Sequence, residues 1–112
     1  MTNIAQQAAE SRRVEHWQTL ALIVAVLTLV VGVGDVISTN QGLAAGAVEI
    51  NPLFAWLQAE MGAWWFLPKM ALHGVVAAMV LWYPQPIVMS IVIPIILANS
   101  AVIVSNFALA VA

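Results

Sequence analysis

The chain has 112 residues, of which 63% are hydrophobic and 7% charged, and its mean hydropathy is +1.00. About a quarter of the residues in soluble domains are charged, so this composition excludes an ordinary soluble protein. The three basic residues are outnumbered by five acidic ones, which excludes a basic nucleic-acid-binding surface. The composition therefore predicts an integral membrane protein.

Three apolar stretches are long enough to cross a bilayer, which takes about 20 mostly apolar residues. They cover residues 17–37, 64–83 and 87–112, and a turn with two prolines separates the last two. We predict an all-α membrane protein with three transmembrane helices. The single transmembrane domain is residues 17–112, and residues 1–16 form a polar N-terminal tail, for which a helix is one of the expected conformations.

The segment between the first two spans, residues 38–63, is predicted to lie against the membrane surface. Asn51 is a favoured residue before a helix, and Pro52 suits the first helical position, so a short helix is expected at about residues 52–60. Phe54 and its apolar neighbours cluster on one side of that helix. This pattern predicts a short interfacial or re-entrant helix.

The orientation rests on positively charged residues near the ends of the spans, because cytoplasmic segments carry an excess of them. Arg12 and Arg13 precede the first span. We therefore expect a bacterial inner (plasma) membrane protein with a cytoplasmic N-terminus and a periplasmic or external C-terminus.

Two charged residues lie inside the predicted spans, where each costs roughly 2.5–3.5 kcal/mol on insertion scales. Asp35 is near the end of the first span, and Lys69 is in the second span at a depth within about 5 Å of it. The two side chains are predicted to pair. Glu49 in the connecting segment and Asn106 in the third span reach the same layer.

His73 follows Lys69 by four residues and therefore stands on the same helix face, one turn deeper. Asn99 in the third span is expected to form hydrogen bonds between helices. In the first span a stripe of small and polar residues should face protein rather than lipid. Its members are Thr28, Gly32, Asp35 and Thr39.

Small residues mark positions where helices approach closely in lipid. The third span carries a stripe of Ala98, Ala101, Ser105 and Ala108, and the second span carries Ala71, Gly74 and Ala78. This second-span stripe lies about 150° around the helix from the Lys69 and His73 face. Because a bundle of three helices offers each helix one inward sector, two opposed faces predict a homodimer or docking onto another membrane protein, within the lipid bilayer.

Signatures of catalysis are weak. Residues 32–35 spell the Gly-x-Gly-Asp string of intramembrane aspartyl proteases, but that chemistry needs two aspartates and Asp35 is the only one. Ser38 has no nucleophile-elbow motif around it. A metal site has at most Asp35, Glu49 and His73 as ligands. No catalytic residue and no cofactor are predicted.

The spacing of polar residues resembles an uncharacterised family of small bacterial multi-pass membrane proteins, a domain of unknown function. The resemblance covers about residues 20–107 and follows the pattern Asp…Thr…Gly…Glu-x-Asn-Pro…Lys. It implies that five residues belong to one site, and it implies no activity. Those residues are Asp35, Thr39, Glu49, Asn51 and Lys69.

The leading hypothesis is a site that binds a small ligand or relays protons or ions. The carboxylates of Asp35 and Glu49 would accept protons or cations, and Lys69 would hold an anion or tune the carboxylates. The residues assigned to the site are Asp35, Thr39, Glu49, Asn51, Lys69, His73 and Asn106. One alternative is an accessory subunit in which the ion pair is structural. Another is a pore-forming lysis protein, which the length and three spans permit.

Overall fold

In the computed structural model, which describes residues 3–111, the chain folds into five α-helices. They are α1 (Ile4–Arg13), α2 (Glu15–Ala44), α3 (Pro52–Met61), α4 (Phe66–Trp82) and α5 (Pro86–Val111), with a 3₁₀ helix (Gly62–Trp65) between α3 and α4. Three helical runs are long and apolar enough to span a membrane: Glu15–Ala44, Pro52–Trp82 and Pro86–Val111. The predicted all-α class with a short additional helix is confirmed, and residues 3–111 contain no β-strand.

Helix α2 is the centre of the molecule. It packs along both α4 and α5, whereas α4 and α5 barely contact each other. Five side chains from the three helices form a buried apolar cluster close to the turn between α4 and α5: Ala21, Val24, Val80, Met89 and Val92. We call the half of the molecule that contains this turn and α1 the α1 end, and the half that contains α3 the α3 end.

Helix α2 is longer than the predicted first span, because residues 38–44 continue it without a break. No proline interrupts the helix, and it ends at Ala44, two residues before Gly46, whose φ of 97° is accessible to glycine. The amide of Ala47 donates to the carbonyl oxygen of Gly42 at 2.9 Å, which completes a glycine-terminated helix end. The extension carries Thr39 on the buried side of α2.

The short helix expected after Asn51 is present as α3. The Asn51 side chain accepts a hydrogen bond from the amide of Leu53 at 3.0 Å, and Pro52 is the first helical residue. The chain then passes through the 3₁₀ helix, where Trp65 is buried and donates from Nε1 to Asn40 Oδ1 at 3.0 Å. This hydrogen bond attaches the 3₁₀ helix, immediately before α4, to α2.

The segment predicted as a polar tail is an ordered helix, α1, which begins with a capping box at Asn3. Tyr83 donates from its hydroxyl to Gln7 Oε1 at 2.9 Å. Arg12 donates to the carbonyl oxygen of Trp82, and its guanidinium lies 5.7 Å from the centre of the Trp82 ring. Helix α1 is therefore held against the turn between α4 and α5.

The last helix, α5, begins at Pro86, where the missing amide hydrogen costs nothing in the first turn. The third span is predicted to begin at residue 87, so the turn before it is one residue shorter than predicted, because Pro86 already belongs to α5. Helix α5 is described as far as Val111, and Ala112, the last residue of the predicted third span, lies outside the described residues.

Candidate functional site

The charged residues inside the spans form an ion pair. Asp35 Oδ2 lies 2.5 Å from Lys69 Nζ, and the two residues are only 6% and 4% exposed. The predicted pairing between the first and second spans is confirmed. Since a lone charge at this depth is strongly unfavourable, each side chain makes the burial of the other possible.

A chain of hydrogen bonds connects the ion pair to α5. Thr39 donates from its hydroxyl to the second carboxylate oxygen of Asp35 at 3.3 Å. Asn106 donates from Nδ2 to the hydroxyl oxygen of Thr39 at 3.2 Å and to that of Ser38 at 3.3 Å. The predicted stripe of Thr28, Gly32, Asp35 and Thr39 is buried throughout, so it faces protein as expected.

Helix α3 covers the ion pair from the side. The ammonium of Lys69 lies 4.2 Å from the centre of the Phe54 ring, a favourable cation–π distance. The Phe54 ring also lies 6.1 Å from the ring of Trp65. The two aromatic rings thus form an apolar wall next to the charged pair.

Glu49 lies in the connection before α3 and fixes the beginning of that helix. Its Oε1 accepts from the amide of Asn51 at 3.1 Å, and its Oε2 accepts from Gln58 Nε2 at 3.2 Å. Because both oxygens are used in this way, the carboxylate is held at one position next to the beginning of α3.

These groups surround a cavity of about 400 Å³ at the α3 end, which we call the polar cavity. Asn99 and Ser105, to which the sequence assigns helix contacts, line it as well. Six of the seven residues predicted to form a binding site line this cavity: Asp35, Thr39, Glu49, Asn51, Lys69 and Asn106.

The seventh predicted residue, His73, lies one turn deeper and lines a different cavity. Its Nδ1 donates to the carbonyl oxygen of Thr28 at 3.2 Å. A Cβ atom on Gly32 would lie 2.9 Å from His73 Cγ, so the ring packs where Gly32 has no side chain. Gly32 is therefore a close-packing position between α2 and α4.

The small residues predicted to pack helices together are mostly exposed in the single chain, although Ser105 also borders the polar cavity. Six of these positions are exposed: Ala71, Ala78, Ala98, Ala101, Ser105 and Ala108. A Cβ atom on Gly74 would meet no atom within 4 Å. These residues do not hold the helices of one chain together, and a partner at these faces stays a prediction.

The chemistry available at the polar cavity is hydrogen bonding and charge pairing. Asp35, Glu49 and His73 do not gather into a set of three metal ligands, and no other His, Asp or Glu among residues 3–111 completes one. The alternative of an open metal site on these residues is therefore wrong. Within residues 3–111 every buried side-chain nitrogen and oxygen has a hydrogen-bond partner.

Several residues at the site are not among those predicted for it. Phe54 is expected from its sequence only to face the membrane surface, and the sequence predicts no role at the site for Trp65. Ser38 is adjacent to Thr39, but its hydrogen bond with Asn106 depends on the extension of α2. The signal for Phe54 is its position two residues after Pro52, which places it in the first turn of α3.

Fold and site together define a small α-helical membrane protein with three helices long enough to span, and with a buried ion pair beside a polar cavity. The sequence matches the family described as Domain of unknown function (DUF5658) over residues 10–112, and the chain belongs to that family. The predicted membership of an uncharacterised family is confirmed. No curated protein and no solved structure matches the chain.

Proposed function

We propose that this protein binds a small ligand in the polar cavity. The observation that supports the proposal is the cavity of about 400 Å³ lined by six polar residues that the sequence groups into one site. Ligand sites usually measure roughly 300–1,000 Å³ and combine apolar walls with a few fixed polar groups. Phe54 and Trp65 supply apolar wall, and the ion pair supplies fixed charges.

The polar groups have distinct roles in this proposal. Glu49 accepts hydrogen bonds or a positive charge from the ligand at the edge of the cavity. Lys69 holds Asp35 in place through the ion pair, and Asn106 fixes the orientation of Thr39. A preorganised arrangement of this kind favours binding because few side chains need to be ordered when the ligand arrives.

A proton or ion relay across the membrane has less support than a binding site. From His73 toward the α1 end, the interior is the apolar cluster that includes Ala21, Val80 and Val92. Protons cross membranes along polar side chains or water, and this cluster supplies no polar side chain.

The second candidate is an accessory subunit in which the polar groups only hold the helices together. Two observations favour it. The charges of Asp35 and Lys69 are paired with each other, and Asn106 links α5 to α2 through its hydrogen bond to Thr39. The outward stripe of small residues on α5 would then contact a larger membrane complex.

If Arg12 and Arg13 mark the cytoplasmic side, the polar cavity opens toward the outside of a bacterial inner membrane. The ligand would then arrive from the periplasm or from the outer leaflet. This orientation is part of the proposal, and a cysteine-accessibility assay with variants at Ala45 and Gln85 would test it.

A structure of the purified protein in lipid distinguishes the two candidates. For a binding site we expect density that belongs to no protein atom within hydrogen-bonding distance of Asp35, Glu49 or Lys69. For an accessory subunit we expect a closed polar network, and density in the polar cavity would be absent.

The double variant Asp35→Asn with Lys69→Gln provides the control. Removing one member of a buried pair costs about 3–5 kcal/mol, but removing both charges avoids a stranded charge. We expect the double variant to fold and to lose the density. If it keeps the density unchanged, the charged pair takes no part in binding, which contradicts the proposal.

A further inference from the structure

A second cavity adjoins the polar one. It measures about 250 Å³ and lies between α4 and α5 above the central helix α2. We call it the apolar cavity, because most of its lining is aliphatic. The aliphatic side chains of this lining are Val31, Leu72, Val76, Val92, Ile95 and Ile96.

The two cavities share part of their lining. Phe54, Lys69 and Asn99 border both of them. The polar cavity takes its other residues mainly from the α3 end, whereas the apolar cavity reaches toward the middle of α2 at Val31. A molecule that occupies both cavities must therefore be polar at one end and apolar at the other.

The apolar cavity is accessible from the side of the molecule. Helices α4 and α5 barely contact each other, and the cavity lies between them. Leu72 on α4 is 57% exposed and Ile95 on α5 is 49% exposed, although both line the cavity. In a membrane the medium outside this opening is hydrocarbon chains, so the most abundant molecule at the entrance is a lipid.

The charges at the polar cavity restrict the head group of such a lipid. The ionisable side chains that line it are the carboxylates of Asp35 and Glu49 and the ammonium of Lys69, which leaves one net negative charge. Lys69 already pairs with Asp35. An anionic head group would meet repulsion without a free cation, whereas hydroxyl or amine donors would meet carboxylate, amide and hydroxyl oxygens.

We infer that the occupant is a single-chain amphiphile from the bilayer, with its hydrocarbon chain in the apolar cavity and an uncharged or cationic, donor-bearing head group in the polar cavity. The inference rests on the proposed ligand-binding function and adds the chemical class of the ligand. In this inference the apolar cavity holds the hydrocarbon chain, and the gap between α4 and α5 is the entrance for it.

Photo-crosslinking tests this inference. The wild-type protein in phosphatidylcholine nanodiscs is irradiated with monopalmitoylglycerol that carries a diazirine in the middle of its chain. We expect adducts on residues of the apolar cavity, including Leu72 and Ile95. Excess unlabelled monopalmitoylglycerol should prevent these adducts. Glycerol, which is the head group alone, should not prevent them, and neither should palmitate, which has the same chain with an anionic head group.

Matched variants test whether the cavity itself holds the chain. Ile95→Phe fills the cavity and should reduce the adduct yield about tenfold, because the larger ring occupies space that the hydrocarbon chain needs. Ile91→Phe makes the same change one turn earlier on α5 at an exposed residue that lines neither cavity, and it should change the yield by less than about twofold. Leu72→Phe fills the cavity from α4 and repeats the test if Ile95→Phe does not fold.

Three results would overturn the inference. Adducts spread over the exposed apolar faces without competition would mean that the chain contacts bulk lipid only. Equal adduct yields from the cavity-filling variants, Ile95→Phe and Leu72→Phe, and from Ile91→Phe would also mean that the chain does not occupy the apolar cavity. Equal competition by palmitate and monopalmitoylglycerol would remove head-group selection. If density were still found in the polar cavity of the lipid structure, the proposed function would stand with a purely polar ligand.

Discussion

At the scale of single residues, the contact between Gly32 and His73 controls how closely α4 approaches α2. The His73 ring occupies the space next to Gly32, and its Nδ1 reaches the carbonyl oxygen of Thr28 at 3.2 Å. Three atoms of the ring would lie within 3.2 Å of a Cβ atom at position 32. The absence of a side chain there is what permits the hydrogen bond.

We therefore expect Gly32→Ala to destabilise the protein by about 1–3 kcal/mol through overpacking, measured by unfolding in mixed detergent micelles. Gly34→Ala is the control on the same helix. Its Cβ would meet only the flexible end of Ile103, at 3.1 Å. The cost of Gly32→Ala should disappear in a His73→Ala background. An equal cost in both backgrounds would mean that the ring is not the cause.

At the scale of secondary-structure elements, α2 is longer than the sequence predicts, and α1 is a helix within the predicted polar tail. Helix α2 continues to Ala44 because its first strong stop signal is Gly46. Helix α1 is ordered because it gains contacts that its own sequence does not specify, from Tyr83 and Trp82 at the turn between α4 and α5. A short polar helix alone is marginal in water, so these contacts stabilise it.

Release of α1 is measurable by trypsin cleavage after Arg12 and Arg13. Tyr83→Phe removes one hydrogen bond, which contributes roughly 1 kcal/mol, so cleavage should become about fivefold faster if it follows local opening. Trp64→Phe changes an exposed aromatic residue at the α3 end and should leave the rate unchanged. Equal rates for Tyr83→Phe and the wild type would show that this hydrogen bond does not hold α1.

At the scale of the whole molecule, the exposed small residues on α4 and α5 bear on whether the chain associates with a second copy. Gly74 has open space beside it, and Ala71 and Ala78 are exposed on the same side of α4. Close helix contacts in lipid use such residues because the backbones can approach. We propose that this face of α4 contacts a second copy of the chain.

Gly74→Leu should then reduce the mass measured by light scattering in detergent from that of a dimer to that of one chain. Val75→Leu is the control, since Val75 is an exposed neighbour without a small side chain. A wild-type mass equal to one chain, or a dimer that survives Gly74→Leu, would contradict the proposed face.

Much of the architecture follows from the sequence because the bilayer restricts the possibilities. Long apolar runs predict helices, since helices satisfy their own backbone hydrogen bonds in hydrocarbon. The rise of 1.5 Å per residue places Asp35 and Lys69 at one depth, and the cost of isolated charges then requires them to pair. The beginning of α3 follows from Asn51 and Pro52, because capping is a local interaction.

Other features depend on tertiary structure. The depth of a residue in the membrane does not determine how its helix is rotated about its own axis, or how it is tilted against the neighbouring helices. The sequence by itself determined the membrane class, the ion pair and the layer of polar groups. Only the tertiary structure decided that Phe54 lies against Lys69, that His73 enters a separate cavity and that α4 and α5 stand apart. These contacts arise from side-chain packing between distant segments, which no local pattern encodes.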